Sequence, residues 1–349
     1  MFDENLDIFW PQTAGRTEYV MSPKDSRAPS LSVRRPSLSR QIEFQRNLII
    51  GASGQVGGAL IERLGLSTCF GTFSTGAVPH ATQFCMREAA EDSRLISDLL
   101  TATKPHVVYI CAAKTWVDGC EQDEVTTRSI NTHAPTLLAK LASQLGSKIV
   151  FFSTDYVFDG LAGPYAENDK VNPINVYGKS KLDAENALLD VDINALIIRT
   201  TIVYGPEQLG KNFAYQLVSK VKSCESFECL TDQYSTPTYN RDLAEMVVGL
   251  VEKKCCGIFN CVGTEMLSRY EFAQQIARAL GLDISLIRKK TTQQLQTEAQ
   301  KEGRNLAGRG LQLGLCAQKA LVALDHFKPR SVKESLTHWL ENQRGKHIH

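Results

Sequence analysis

The sequence has little of what marks several large classes of protein. No apolar run approaches the ~18–20 residues that a membrane-spanning helix needs. Charge is balanced: Lys+Arg 39 against Asp+Glu 38 leaves a formal +1. That balance gives no support to binding of nucleic acid or an anionic membrane. There are ten cysteines but no C-x-x-C, and the seven histidines show no H-x-x-x-H or H-x-x-E-H spacing. A metal site and a disulfide framework therefore both lack their usual signature. Most of the cysteines lie in apolar runs such as "VVYICAA" and "IFNCV", and read as reduced, buried thiols of a cytoplasmic protein.

What is present is a chain of 349 residues, 43% of them apolar, enough for one large domain or two smaller ones. Residues 1–45 stand apart. "SPKDSRAPSLSVRRPSLSRQ" is rich in Ser, Pro and Arg and lacks apolar periodicity, so it reads as a disordered extension. The stretch from Met21 onward also has the Arg and Ser of an organelle transit peptide, against which the acidic start "MFDENLDIF" argues. "RRPS" offers Ser37 to a basophilic kinase. At the other end, 344–349 reads as a frayed tail holding His347 and His349.

From Arg46 the pattern alternates. Continuous apolar runs at 47–53, 106–113, 148–154 and 195–203, with a weaker one at 68–73, read as strands covered on both faces. Helical periods at 54–65, 93–104 and 131–146 separate them. Such alternation predicts a doubly wound parallel sheet of Rossmann type over 46–204, with ligands at the C-terminal strand ends. Over 205–343 the regularity loosens into helical periods at 212–222, 241–254, 268–280 and 331–343 and strands at 226–230 and 257–262. This reads as a smaller substrate lobe, partly interleaved with the sheet.

Gly51, Gly54 and Gly57 follow the first strand and open a helix. Gly51 suits the tight turn, Gly54 the approach of a pyrophosphate, and Gly57 close packing of helix on sheet. The second strand runs into "GTFSTGAVPH" with no acid to bond a ribose 2′-hydroxyl. Ser74 and Thr75 offer donors to a 2′-phosphate instead, which favours NADPH and leaves NADH open. Tyr177 and Lys181 stand four apart on a helix expected over about 176–189, so both lie on one face. An ammonium near a phenol is expected to lower the phenol's pKa and make it a proton donor. Thr154, at the end of the strand 148–154, would place a hydroxyl at the same edge. The set suits hydride transfer to a carbonyl.

These residues resemble an extended short-chain dehydrogenase/reductase. "GASGQVGG", "CAAKTWVDGCE", "STDYVFDG", "YGKSK", "RTTIVYGP", "GKNF" and "DQYSTPTYNRDLA" more narrowly resemble the dTDP-4-dehydrorhamnose reductase family over about 47–340. The resemblance implies hydride delivery from NAD(P)H to C4 of a nucleotide-linked 4-keto-6-deoxysugar. It implies protonation by Tyr177, a cofactor-holding and pKa-lowering role for Lys181, and assistance from Thr154. Gly51, Gly54, Gln55, Val56 and Gly57 would carry the pyrophosphate turn, and Ser74, Ala112, Ala113 and Lys114 would line the cofactor. Asp155, Ile202 and Arg309 fall on the substrate side, with Lys211 and Arg241 as further cations for a nucleotide diphosphate. Asn131 is explained equally well by a helix-start cap.

Ile202 stands where such reductases commonly have Trp, and Gly310, Cys316 and Gln318 depart from their C-terminal motif. The chain is also similar to the regulatory beta subunit of methionine adenosyltransferase. That likeness implies a dinucleotide-binding protein with a synthetase partner, where the reductase likeness implies an enzyme that acts on a small-molecule nucleotide sugar and can form a homodimer.

Overall fold

The computed structural model describes residues 45–344. The N-terminal extension with Ser37, and His347 and His349, lie outside the described residues. Six strands of the central sheet follow in chain order: β1 (Asn47–Ile50), β2 (Cys69–Phe73), β3 (Ala81–Gln83), β4 (Val107–Ile110), β5 (Lys148–Thr154) and β6 (Leu196–Thr200). The seventh, Gly257–Asn260, comes from the second half of the chain and pairs with β6. Across the sheet the order runs Gly257–Asn260, β6, β5, β4, β1, β2, β3, and every pairing is parallel. The strands are those the apolar runs predict, mostly trimmed at their ends, with β3 added.

The runs are continuous because the sheet is buried on both faces. Along β1, Leu48 and Ile50 point into one core with Val108, Ile110, Ile149, Phe151 and Ile197, covered by Leu138, Ala184 and Leu188. Ile49 points the other way, with Tyr109, Val150, Phe152, Leu196 and Ile198, covered by Leu60, Leu243 and Met246. Alternate residues thus serve opposite faces. Each fully buried Leu or Ile contributes about 1.5–3 kcal/mol relative to exposure.

The order reverses between β1 and β4: one crossover leads outward to β2, the next returns to β4. That switch opens a crevice at the carboxyl ends of the strands. Outside the central sheet the chain forms three small ladders: Val203–Tyr204 with Thr238–Tyr239, Tyr234–Ser235 with Leu267–Ser268, and Phe227–Leu230 with Ile287–Lys290.

Helices at Met86–Glu91, Val117–Gln122 and Glu124–Arg128 and at Thr292–Lys301 go beyond the expected set. The last buries only Ala299, so it has no apolar stripe to betray it. Its start is nonetheless written locally: Thr291 and Gln294 form a capping box.

Candidate active site

A cavity of about 680 Å³ occupies the crevice, lined by residues from both halves of the chain. One wall begins at the turn after β1. Gly51 has φ +92°, and a Cβ there would meet the Ala112 backbone nitrogen at 2.9 Å. A Cβ on Gly57 would meet the Gly51 carbonyl oxygen at 2.3 Å. Gly54 caps the helix Gln55–Leu64 and would meet only the Gly51 oxygen, at 3.3 Å. Two of the glycines are thus required by the fold, while the third keeps its open side for a ligand. Thr72 of β2 pins the turn, its hydroxyl accepting from the Gly51 N–H at 3.2 Å and its carbonyl from the Ala52 N–H at 2.6 Å.

Gln55, Val56, Ser74, Thr75, Ala112 and Ala113 all line this wall. The residues fit a dinucleotide. Gln55 Nε2 and Thr200 Oγ1, both on residues of the cavity wall, are buried without a hydrogen-bond partner, as groups awaiting a ligand are.

Lys114 does not line the cavity. Its ammonium lies 3.6 Å from Asp123 and donates to the Asp123 carbonyl at 3.2 Å. Asn131 holds the adjoining backbone. It accepts from the Lys114 N–H at 2.8 Å and donates to the Lys114 carbonyl at 3.0 Å and to Ser180 Oγ at 3.1 Å. It lies in a π-helical turn, Ser129–His133, and clamps β4's exit loop to Ser180 on the helix Val176–Val191 instead of capping a helix start.

Thr154 ends β5, and Tyr177 and Lys181 lie on the helix Val176–Val191; all three line the cavity. The helix starts where it does because Asn175 Oδ1 accepts from the Gly178 N–H at 2.7 Å. It sits against β5's exit because a Cβ on Gly178 would meet the Tyr156 carbonyl oxygen at 2.0 Å. Its inward residues Lys181, Ala184, Glu185 and Leu188 repeat at helical spacing.

The structure reverses the expected effect of Lys181. Burial pushes the Tyr177 phenol well above the usual range, with a hydrogen bond from Thr154 pulling the other way. Lys181 is itself 2% exposed. Burial lowers it to about 7, against an upward pull from Glu185, and its ammonium lies 3.8 Å from the centre of the Phe151 ring. Glu185 is committed elsewhere, to Arg199 at 2.6 Å and to the Ser153 hydroxyl. A tyrosine so placed holds its proton at neutral pH.

Asp155, 2% exposed, follows Thr154. Its carboxylate accepts from Thr154 Oγ1 at 3.0 Å, Thr201 Oγ1 at 2.5 Å and Ser235 Oγ at 3.4 Å. Of roughly four acceptor positions, three are used and one stays open. Burial pushes the group up to about 6, despite these hydroxyls and Arg269.

The facing wall comes from the second half of the chain: Lys211, Asn212, Phe213, Gln233, Tyr234, Ser235 and Arg269. Among the described residues Arg269 is the one arginine lining this cavity, and sequence reasoning missed it. It opens the helix Arg269–Ala279 behind the capping box of Ser268 and Glu271, a cap signal that places its side chain at the sheet edge. Arg241 is elsewhere, paired with Glu62 at 2.6 Å. Arg309 lines a neighbouring cavity that shares Tyr234 and Gly310 with the first, and pairs with Asp118 at 2.8 Å. Ile202 does line the main cavity, at φ +37°, a conformation a β-branched residue seldom adopts.

The chain is similar to known proteins in sequence and in fold. The RmlD substrate binding domain model matches residues 45–343. Methionine adenosyltransferase 2 subunit beta of Mus musculus is 34% identical over 257 residues, 71% of this chain and 75% of its own. The dTDP-4-dehydrorhamnose reductase of Aggregatibacter actinomycetemcomitans is 31% identical over 268 residues, 73% of this chain and 88% of its own. Among solved structures, a dTDP-4-dehydrorhamnose reductase from Clostridium acetobutylicum superposes with TM-score 0.73 at 31% identity, covering 86% of this chain and all of that one. The Bacillus anthracis reductase, solved in complex with NADP, gives 0.73 at 26%, covering 85% and 99%. With its parallel sheet, its glycine turn and its Thr–Tyr–Lys edge, the chain belongs to the RmlD substrate binding domain family, among the extended short-chain dehydrogenase/reductases.

Proposed function

We propose that the chain reduces the 4-keto group of a nucleotide-linked 4-keto-6-deoxysugar, with NADPH as reductant and NADH as the alternative. The observation that carries this reading is the meeting of Thr154, Tyr177 and Lys181 at the rim of a cavity whose opposite end is the glycine turn. The bound cofactor supplies a hydride. Gln55 and Val56, just past Gly54, offer the pyrophosphate the free N–H groups of a helix start, and Ser74 faces the adenosine end.

Tyr177, kept protonated by burial, gives its proton to the oxygen that gains charge as the carbonyl is reduced. Thr154 orients that phenol, and Lys181 holds the nicotinamide ribose. The open acceptor position of Asp155 takes a sugar hydroxyl beside Ile202. Lys211 and Arg269 put positive charge on the wall that a nucleotide diphosphate would meet.

The test is oxidation of NADPH with a panel of nucleotide 4-ketosugars. Turnover of one supports the reading; tight dinucleotide binding with turnover of none refutes it. That second result favours another role, which the 34% identity to a methionine adenosyltransferase beta subunit also favours: a dinucleotide-binding regulatory subunit. Pull-down of a synthetase partner from the source cell checks that role.

A further inference from the structure

Thr154, Asp155, Thr201 and Ser235 come from three segments of the chain and meet at the cavity wall. Each is at most 6% exposed. They sit beside the proton donor: the ring of Tyr156, next in the chain, lies 5.8 Å from the Tyr177 ring. Their protons can be counted. An ionised carboxylate only accepts, and a hydroxyl has one proton to give and two lone pairs. Thr154 Oγ1 gives its proton to Asp155 Oδ1 at 3.0 Å and accepts from the Tyr156 N–H at 3.2 Å. Thr201 Oγ1 gives its proton to Asp155 Oδ2 at 2.5 Å. Ser235 Oγ lies 2.7 Å from Thr201 Oγ1 and 3.4 Å from Asp155 Oδ2, and both are acceptors for its proton. All three hydroxyl protons thus point into the cluster, which shows the cavity lone pairs alone.

We propose that these four residues form an acceptor-only subsite that selects a hydrogen-bond donor on the sugar, a hydroxyl or amino group on the carbon next to the keto carbon. The inference rests on the reductase reading. It goes beyond a contact to Asp155, because it states what the subsite refuses. A keto oxygen finds no donor in the cluster and is left to the Tyr177 phenol. In a 4-keto-6-deoxysugar, C5 carries the methyl carbon, so the donor falls at C3. A sugar that lacks it leaves buried acceptors unpaired, which weakens binding. The carbonyl is thus placed by exclusion as well as by attraction.

The count holds while Asp155 is ionised. Burial raises the group to about 6, against Arg269, which faces it from the helix Arg269–Ala279. Tyr156 adjoins it, with Arg309 beyond, and Tyr177 faces it from the helix Val176–Val191. As pH falls through that value the cluster takes up a fourth proton, and one of its donors turns toward the cavity.

The test is titration calorimetry on the full chain saturated with NADPH. The probes are dTDP-linked 6-deoxyhexoses of both C4 configurations, each with hydroxyl, amino or fluoro at C3. With a hydroxyl at C4 and NADPH bound, nothing turns over. Fluorine keeps roughly the size of a hydroxyl but has no proton. The hydroxyl and amino forms of one configuration should bind, and the fluoro form at least about tenfold more weakly.

In Asp155→Asn an amide N–H fills one of the acceptor places, so a hydroxyl proton is released toward the cavity. The hydroxyl-to-fluoro ratio should then fall to within about threefold. The wild type, taken from about pH 8 to about pH 5, should show the same fall without any variant. A fluoro form that binds as tightly as the hydroxyl form overturns the subsite. A ratio that keeps its wild-type neutral value in a folded Asp155→Asn chain, or at the acid end, overturns it too and leaves Asp155 a structural group. Binding of no probe takes down the nucleotide-sugar reading and this inference with it.

Discussion

The two walls of the cavity are built by different means. The wall after β1, β4 and β5 belongs to the sheet itself, and its positions are set by atoms that cannot move: a Cβ on Gly57 has 2.3 Å to the Gly51 carbonyl oxygen. The facing wall hangs on two-residue ladders and loops between Ile202 and Ser268. It carries its polar groups on hydroxyls and on Arg269, and one of its residues, Ile202, sits at positive φ. A rigid wall suits a ligand shared by a whole family of enzymes, whereas a loop-built wall can vary with the substrate.

The comparison breaks if the rigid wall tolerates change. Gly54→Asp puts a carboxylate at the helix start, where a pyrophosphate would meet it. NADPH affinity should fall by more than about a hundredfold, since like charges forced together cost several kcal/mol. Titration calorimetry that finds the affinity retained refutes the assigned turn.

The next effect separates a structural carboxylate from a functional one. Glu185 is 1% exposed and paired with Arg199, itself 2% exposed. Glu185→Gln leaves a buried guanidinium uncompensated and should cost about 3–5 kcal/mol in denaturant unfolding. Asp155, held by hydroxyls alone, should cost much less as Asn while altering the pH response. Equal losses at the two sites would erase the distinction.

The pH dependence of stability sharpens it further. Asp155 is raised to about 6 in the folded chain, above its ordinary value of 3.8, so the stability it confers is full below the ordinary value and lost as pH rises through about 6. Lys181 is lowered to about 7 from 10.5, so its contribution is present above the ordinary value and lost as pH falls through about 7. Thermal unfolding without cofactor should therefore show a shallow minimum between the two midpoints. Asp155→Asn should flatten the acid limb and Lys181→Met the alkaline limb. A curve with no minimum in the wild type contradicts both assignments.

The smallest effect is expected on the loop-built wall. Ile202→Gly removes a strained β-branched residue, relief worth about 1–3 kcal/mol that the entropy of glycine and lost packing largely offset. Stability should change little, and KM for the sugar should move while NADPH affinity stays within about twofold. A shift in NADPH affinity instead would mean that the two walls are coupled.

The same contrast explains what the sequence disclosed. β5 reads correctly at both ends because its residues from Ile149 onward are buried, an unbroken signal. The glycine turn is legible because steric demands restrict which residue fits at Gly51 and Gly57. The pairing of Tyr177 with Lys181 is legible as helical spacing, but its electrostatics are not, because burial outweighs proximity for both groups.

Arg269, Ser235 and Thr201 were hidden because nothing local marks a polar residue in a short ladder as facing a cavity formed by distant segments. Lys114 and Arg309 misled because each had a nearer carboxylate, Asp123 and Asp118, that the sequence does not bring beside them.

The most direct measurement compares Tyr177→Phe with the wild type in one preparation, following NADPH affinity and single-turnover oxidation of NADPH by the substrate found in the panel. The account predicts affinity within about twofold and a rate lower by about 10²–10⁴, the range for loss of a general acid. A Tyr177→Phe chain that oxidises NADPH at the wild-type rate would contradict it.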